Sequence, residues 1–199
     1  MAAVDEISGV LLEEAKRFLE KAQSEMSVDG KAAYLHAALN LGFCSLEAHV
    51  NAIADDFLTR KDLSLTDRSI LTEKDIQLSH GEFVIEKAKL KIYRLDDRIQ
   101  FLYRRFSGKS IDRSSSWWSD LQSAQLLRNK LAHPKDAPVI DERSVSRGLQ
   151  AIIDVVAVLY KGIYKRKFPA GSRGLQSSLS FLSFLSKTTV SGNLRNLCL

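Results

Sequence analysis

Apolar residues recur along this chain at spacings of three and four. Val4, Ile7, Leu11, Ala15, Phe18 and Ala22 mark one face of a helix over about 4–25. Ser27-Val28-Asp29-Gly30 breaks the pattern, and Asp29 is the expected cap of a second helix over about 30–60. Leu35, Leu39, Gly42, Leu46, Val50, Ile53 and Phe57 form the core stripe of that helix. Gly42 in its middle costs about 1 kcal/mol relative to alanine and marks a close helix crossing. Leu95, Ile99, Leu102 and Phe106 predict a helix over about 93–106. Ser116 is the expected N-cap of the next, with Asp120 in its first turn and Trp117, Leu121, Ala124, Leu127 and Leu131 facing inward. Pro134 stops it at or just after His133, because the residue before proline disfavours the α region. Asp141 caps a last main helix over about 141–167, with Val145, Leu149, Ile152, Val156, Leu159 and Ile163 inward.

Between the second and third main helices the pattern is mixed. Thr66-Asp67 suits the start of a short helix running to about Ile76, and Ser79-His80-Gly81 is a turn signal. Glu82 to Ile92 combines alternation with helical spacing and fits either an extended or a helical segment. The expected fold is all-α: an antiparallel bundle of four to five main helices with an insertion between the second and third. Residues 1–168 form the helical domain. Residues 169–199 form a basic, serine-rich tail, in which Leu175, Leu179, Leu182 and Leu185 suit a short amphipathic helix, though a mobile tail is favoured.

Three prolines and ten glycines in 199 residues agree with long helices, and 45% apolar residues supply one core. The net charge of +5 is unevenly placed. After Asp154 there are seven Lys/Arg and no Asp/Glu, so the first 154 residues carry 22 basic against 24 acidic side chains. A basic end attracts polyanions such as RNA or acidic lipid heads. It equally matches the negative end of a helix dipole. Cys44 and Cys198 make no disulfide framework and no metal-ligand spacing, which points to a reducing, cytoplasmic setting. The acidic start of the chain argues against a secretory signal, and no apolar run approaches the roughly 20 residues that span a bilayer.

Arg128 changes the picture. The inward stripe of its helix runs Trp117, Leu121, Ala124, Arg128, Leu131, so a guanidinium stands on the buried side or at its border. A charge there is costly unless it is paired or meets an anion. His133 lies about 7.5 Å further along the axis, and Asn129, four residues before it, shares its face. A permanent cation, an amide and an imidazole on about one and a half turns suit RNA cleavage. The guanidinium holds a phosphate and the imidazole moves protons near neutrality. The 2′-hydroxyl of RNA then serves as nucleophile, with no metal or cofactor required.

Arg128-Asn129-Lys130-Leu131-Ala132-His133, ending a helix in an all-α domain, resembles the Arg-x(4–6)-His motif of the HEPN superfamily. Leu46-Glu47-Ala48-His49-Val50-Asn51 is similar, more weakly, to the helix from which an acidic residue approaches that motif. The resemblance spans about 30–165. It implies that Arg128 and His133 are the catalytic pair and that Asn129 orients the phosphate or the histidine, with Glu47 fixing Arg128. It further implies a homodimer with a composite site, RNA as substrate, a toxin or antiphage role, and an antitoxin or regulatory protein as a further partner. The tyrosine found two residues after the histidine in members paired with a nucleotidyltransferase is Lys135 here. A non-catalytic module binding a partner protein, nucleotide or RNA through the same groove is the alternative. So is a plain scaffold, with Arg128 locked in a salt bridge and His133 exposed.

Several other residues have two readings. His36, Asn40, Glu47 and Asn51 form a polar strip beside the core stripe, lining a site or facing solvent. His49 reads as exposed or interfacial and His80 as surface. Trp117 belongs to the core, leaving Trp118 for an interface or base stacking. Tyr103 to Phe106 and Tyr160 to Lys167 mix basic and aromatic residues in a way that RNA binding uses.

Overall fold

A computed structural model describes residues 2–134 and 139–179. Five main helices carry the fold: α1 (Ala2–Ser24), α2 (Val28–Phe57), α4 (Leu95–Ser107), α5 (Ser116–Ala132) and α6 (Glu142–Leu159). The insertion between α2 and α4 holds a short helix α3 (Leu65–Thr72) and an antiparallel hairpin of β1 (Lys74–Ser79) and β2 (Glu82–Leu90). The fold is essentially all-α. Among the described residues no helix is long and apolar enough to cross a membrane.

Helices α1 and α2 pack along their length. Ser45 donates to the Ser8 carbonyl at 2.8 Å, and Phe18 meets Tyr34, so partners move in opposite directions and the pair is antiparallel. The α2 N-cap is Ser27, whose hydroxyl accepts from the Gly30 N–H; Asp29, the expected cap, sits in the first turn. The stripe of α2 is buried as its sequence predicts, from Leu35 to Ile53. That of α1 is rotated: Leu12, Ala15, Leu19 and Ala22 are buried, whereas Ile7 is 54% exposed. Fully buried Ser8 and Lys16 lie on the same inward side, so two polar residues displace the apolar reading of this helix by one position.

Helix α6 sits between α2 and α5. A methyl group at Gly42 would collide with Leu149 and stand 3.1 Å from Ile152. One at Gly148 would stand 2.7 Å from the Cβ of Ala124. These two glycines let α6 approach α2 and α5 to backbone distance. Along α2 and α6, contacts advance together from Gly42–Leu149 through His49–Tyr160 to Phe57–Tyr164. The two therefore run in the same direction, while α5 and α6 run opposite to each other.

Helix α6 ends earlier than its sequence suggests, in a π-helical turn over Tyr160–Tyr164 that packs Gly162 against the Tyr103 ring. His49 is 2% exposed, not surface or interfacial as expected; it lies edge-on to the rings of Tyr160 and Phe168 at 6.2 and 5.3 Å. The reading of the tryptophans is also reversed. Trp118 is 4% exposed, on the face it shares with buried Leu121 and Ala124 at spacings of three, and Trp117 is only partly buried; Ser115, not Ser116, is the N-cap.

The insertion resolves into defined pieces. Ser64 and Asp67 form a reciprocal capping box that starts α3, two residues before the expected Thr66. His80 and Gly81 both have positive φ, which matches a tight two-residue hairpin turn. The alternation in β2 is strand alternation, but Phe83 and Leu90 remain about two-thirds exposed at 68% and 70%.

The tail does not begin free at residue 169. Pro169–Arg173 forms a 3-10 turn, a turn follows at 174–175, and Ser177 and Ser178 bond to Glu13 and Glu20 of α1 with no helix over 176–179; Leu182 and Leu185 of the expected helix lie outside the described residues. Glu13, 7% exposed, is the anchor. It pairs with fully buried Lys16 at 2.6 Å and with Arg173 at 2.9 Å, and accepts from the Ser178 N–H. The Ser177 hydroxyl donates to the Glu13 carbonyl at 2.8 Å. The remaining expected tail residues, 180–199, and Cys198 with them, lie outside the described residues.

Two measurements follow from this packing. Gly148→Ala forces a methyl against Ala124 and should lower the unfolding free energy by about 1–3 kcal/mol in urea titration. Burial raises the Glu13 carboxyl, but Lys16, the Ser178 N–H and Arg173 outweigh it and bring the pKa down from 4.5 to about 2. Its stabilising contribution is therefore complete above pH 4.5 and lost as pH falls towards 2. Unfolding measured against pH should show wild type losing its advantage over Glu13→Gln, roughly 2–3 kcal/mol near neutrality, across that window.

Candidate functional site

Helix α5 carries the motif residues on its last two turns. Leu121 and Ala124 anchor it against the core at 1% and 3% exposure, and the next inward position is Arg128. Its side chain reaches across to α2 and is 29% exposed. The guanidinium donates to Glu47 Oε1 at 2.8 Å and to Asn129 Oδ1 at 3.3 Å, and its centre lies 5.2 Å from the Phe43 ring centroid. Glu47 and Arg128 are 81 residues apart in sequence. The pair is partly solvated, so it contributes little net stability, about 0–1 kcal/mol; it fixes direction instead. The arginine has five N–H donors, and these two bonds leave three for a ligand.

His133 is the C-cap of α5. Its N–H donates to the Asn129 carbonyl at 3.0 Å and its side chain is exposed. The backbone leaves the helix there (φ −131°, ψ 65°), as Pro134 demands. The structure thus brings Arg128, Asn129 and Glu47 into contact and holds His133 just beyond them on the exposed helix end.

Arg128 and Glu47 form one side of a cleft of about 390 Å³. Asn51 extends the α2 wall by one turn and Gln125 the α5 wall. The opposite wall comes from residues absent from the sequence reading of the site: Glu73 closing α3, Ile92 and Tyr93 after the hairpin, and Leu95 and Arg98 of α4. His36 and Asn40, on the same polar strip as Glu47, do not line it.

Arg98 is 5% exposed and pairs with Glu73 at 2.9 Å. Burial pushes its guanidinium below the usual arginine range, against the pull of Glu73, Glu47 and Asp55. Glu73 itself holds a left-handed backbone (φ 51°), and its carbonyl accepts from the Lys91 N–H at 2.9 Å. That bend turns the chain from α3 into β1. Tyr93 is fixed by its hydroxyl, 3.1 Å from Ser69 Oγ, with the Lys91 ammonium 5.4 Å from its ring centroid.

Arg98 had a signal: it lies three residues from Leu95 and four from Leu102, on the buried side of α4. Gln125 is three residues before Arg128 and shares its face. Glu73 and Tyr93 had none, since both depend on how the insertion folds. Among the described residues no group of three His, Cys, Asp or Glu is placed to hold a metal ion.

Compared with described protein families, curated proteins and solved structures, the chain matches none.

Glu73→Ala should leave Arg98 as a buried charge without its contact partner, with only Glu47 and Asp55 acting on it from a distance. Its cost, read by thermal or urea unfolding, is expected at roughly 3 kcal/mol, against less than about 1 kcal/mol for the solvated partner change Glu47→Ala.

Proposed function

We propose that this chain is a HEPN-type, metal-independent endoribonuclease acting as a homodimer in the cytoplasm. A role as a toxin or defence effector, held in check by an antitoxin or regulatory protein, belongs to the same reading. One observation carries it. The acidic residue that the resemblance singles out on α2, Glu47, meets the motif arginine at 2.8 Å and aims it at an open cleft.

In this mechanism Arg128 holds the non-bridging oxygens of the scissile phosphate with its remaining donors. The 2′-oxygen attacks phosphorus as its proton passes to one imidazole. The bond from phosphorus to the 5′-oxygen breaks, and that oxygen takes a proton from an imidazolium. The products are a 2′,3′-cyclic phosphate and a free 5′-hydroxyl. Two proton transfers on opposite sides of the phosphorus need two groups, and the motif supplies one histidine per chain. A second copy of the chain, with its own His133, supplies the other. Asn129, bonded to Arg128, keeps the guanidinium plane in place.

A second reading has its own support. Within one chain Arg128 is paired with Glu47 and His133 is exposed, the arrangement expected of a plain scaffold; it also suits a module that binds RNA or a partner without cutting.

Purified protein incubated with total RNA in EDTA separates the two. Wild type should cut, leaving cyclic phosphate ends, and Arg128→Ala and His133→Ala should each slow cutting by roughly 100-fold or more. Unchanged cutting in both variants would sink the mechanism. Binding of RNA by wild type without any cutting would favour the module.

A further inference from the structure

The cleft beside Arg128 has a charge balance unlike that of a phosphate site. Each of its two guanidiniums has its own carboxylate: Arg128 with Glu47 at 2.8 Å and Arg98 with Glu73 at 2.9 Å. The interior is therefore neutral overall, and a phosphate placed deep within it would face two carboxylates. A neutral ligand that offers N–H donors fits better. Carboxylates accept only, and the amides of Asn51 and Gln125 both accept and donate. The rest of the lining is Tyr93 and the apolar residues Ile92 and Leu95. A planar, apolar-faced ligand with a hydrogen-bonding edge meets all of these surfaces, and the cleft's volume of about 390 Å³ lies in the range of small-ligand sites.

We infer that the cleft between α2, α5 and the Glu73–Arg98 pair binds one nucleobase of the RNA, the base adjoining the phosphate held by Arg128. The base it takes is one that carries an exocyclic amino group. This rests on the reading of the chain as an RNA-binding protein, and it adds the specificity-determining part of that site. Guanine, adenine and cytosine each present a two-hydrogen amino group, able to donate to a carboxylate and to a flanking amide oxygen at once; uracil presents only its single N3–H. Glu47, with its side chain 47% exposed and only one oxygen committed to Arg128, is the acceptor nearest the phosphate. Gln125 and Asn51 flank it from one turn away on α5 and α2. The left-handed bend at Glu73 and the Tyr93–Ser69 bond hold the outer wall without using any group the ligand needs.

The test is binding of the four nucleoside 3′-monophosphates to the full chain by calorimetry, with ribose 5-phosphate as the base-free control. At least one amino-bearing nucleotide should bind roughly ten-fold more tightly than the uridine nucleotide and the control, since a site built for a hydrogen bond rejects a ligand lacking it. Gln125→Ala and Asn51→Ala change solvent-accessible amides and leave the core intact. They should shrink that preference to under about three-fold without weakening the control. Equal binding of all four nucleotides, no binding beyond the control, or a preference that survives both substitutions would overturn the inference. The readout is binding, so it stands apart from the nuclease assay. A base preference without RNA cutting supports the base site and removes the nuclease; cutting with no base preference does the reverse.

Discussion

Everything around the candidate site depends on how closely α6 can approach its two neighbours. Gly42 and Gly148 remove one methyl group each from the α2–α6 and α5–α6 crossings, and the space is filled by Leu149, Ile152 and Ala124. That brings α5 near enough to α2 for a side chain on one to be paired by a side chain on the other. Ala124 is one turn before Arg128, so the tightest point of the packing also fixes the position of the guanidinium. The ion pair with Glu47 adds orientation to a placement already made by apolar contact. This ordering fits the energetics, because a partly solvated pair contributes little while a core crossing is sensitive to single methyl groups.

The cleft then arises from two different kinds of charge. Arg128 is partly solvated, and its pairing leaves donors to spare. Arg98 is buried, and its carboxylate compensates a desolvated charge rather than aiming a reactive one. A further cationic region lies at the far end of α2, where Arg60 and Arg105 stand near the Phe106 ring at 5.9 and 5.8 Å and Arg166 lies over Tyr160 and Tyr164. Some of this charge is structural: Arg105 ties α4 to Asp62 and Asp67, whereas Arg166, from the basic stretch after Asp154, stacks on the tyrosines.

The sequence was most readable where burial alone decides the pattern. The stripes of α2 and α6 are long and apolar, so their periodicity marks the core directly. Gly42 marked the crossing because glycine in mid-helix has a cost that close packing offsets. The stripe of α1 lies one position from its sequence reading because Ser8 and Lys16 occupy inward sites, Lys16 there in an ion pair with Glu13. His49 was misread for the same reason: an imidazole counted as polar packs against Tyr160 and Phe168. The motif residues were legible because an arginine interrupts an apolar stripe. The opposite wall was not, because Glu73, Tyr93 and Arg98 meet only after the capping box, the left-handed residue and the hairpin have each formed. The alternation of β2 reports strand geometry but not burial, so it carried no clue to a core.

The anchoring of residues 173–178 on Glu13 has a consequence for how the chain reaches this state. Glu13 and Lys16 belong to α1, whereas Arg173 and Ser178 follow Glu13 by 160 and 165 residues. Until they arrive, α1 presents an ionised pair that cannot be fully covered, and water must solvate it. Helix α1 can form early and rest against α2, but the burial of its polar groups waits for almost the whole described chain. These contacts close a loop of almost the whole described chain, so full covering of the Glu13–Lys16 pair depends on contacts of very long sequence separation.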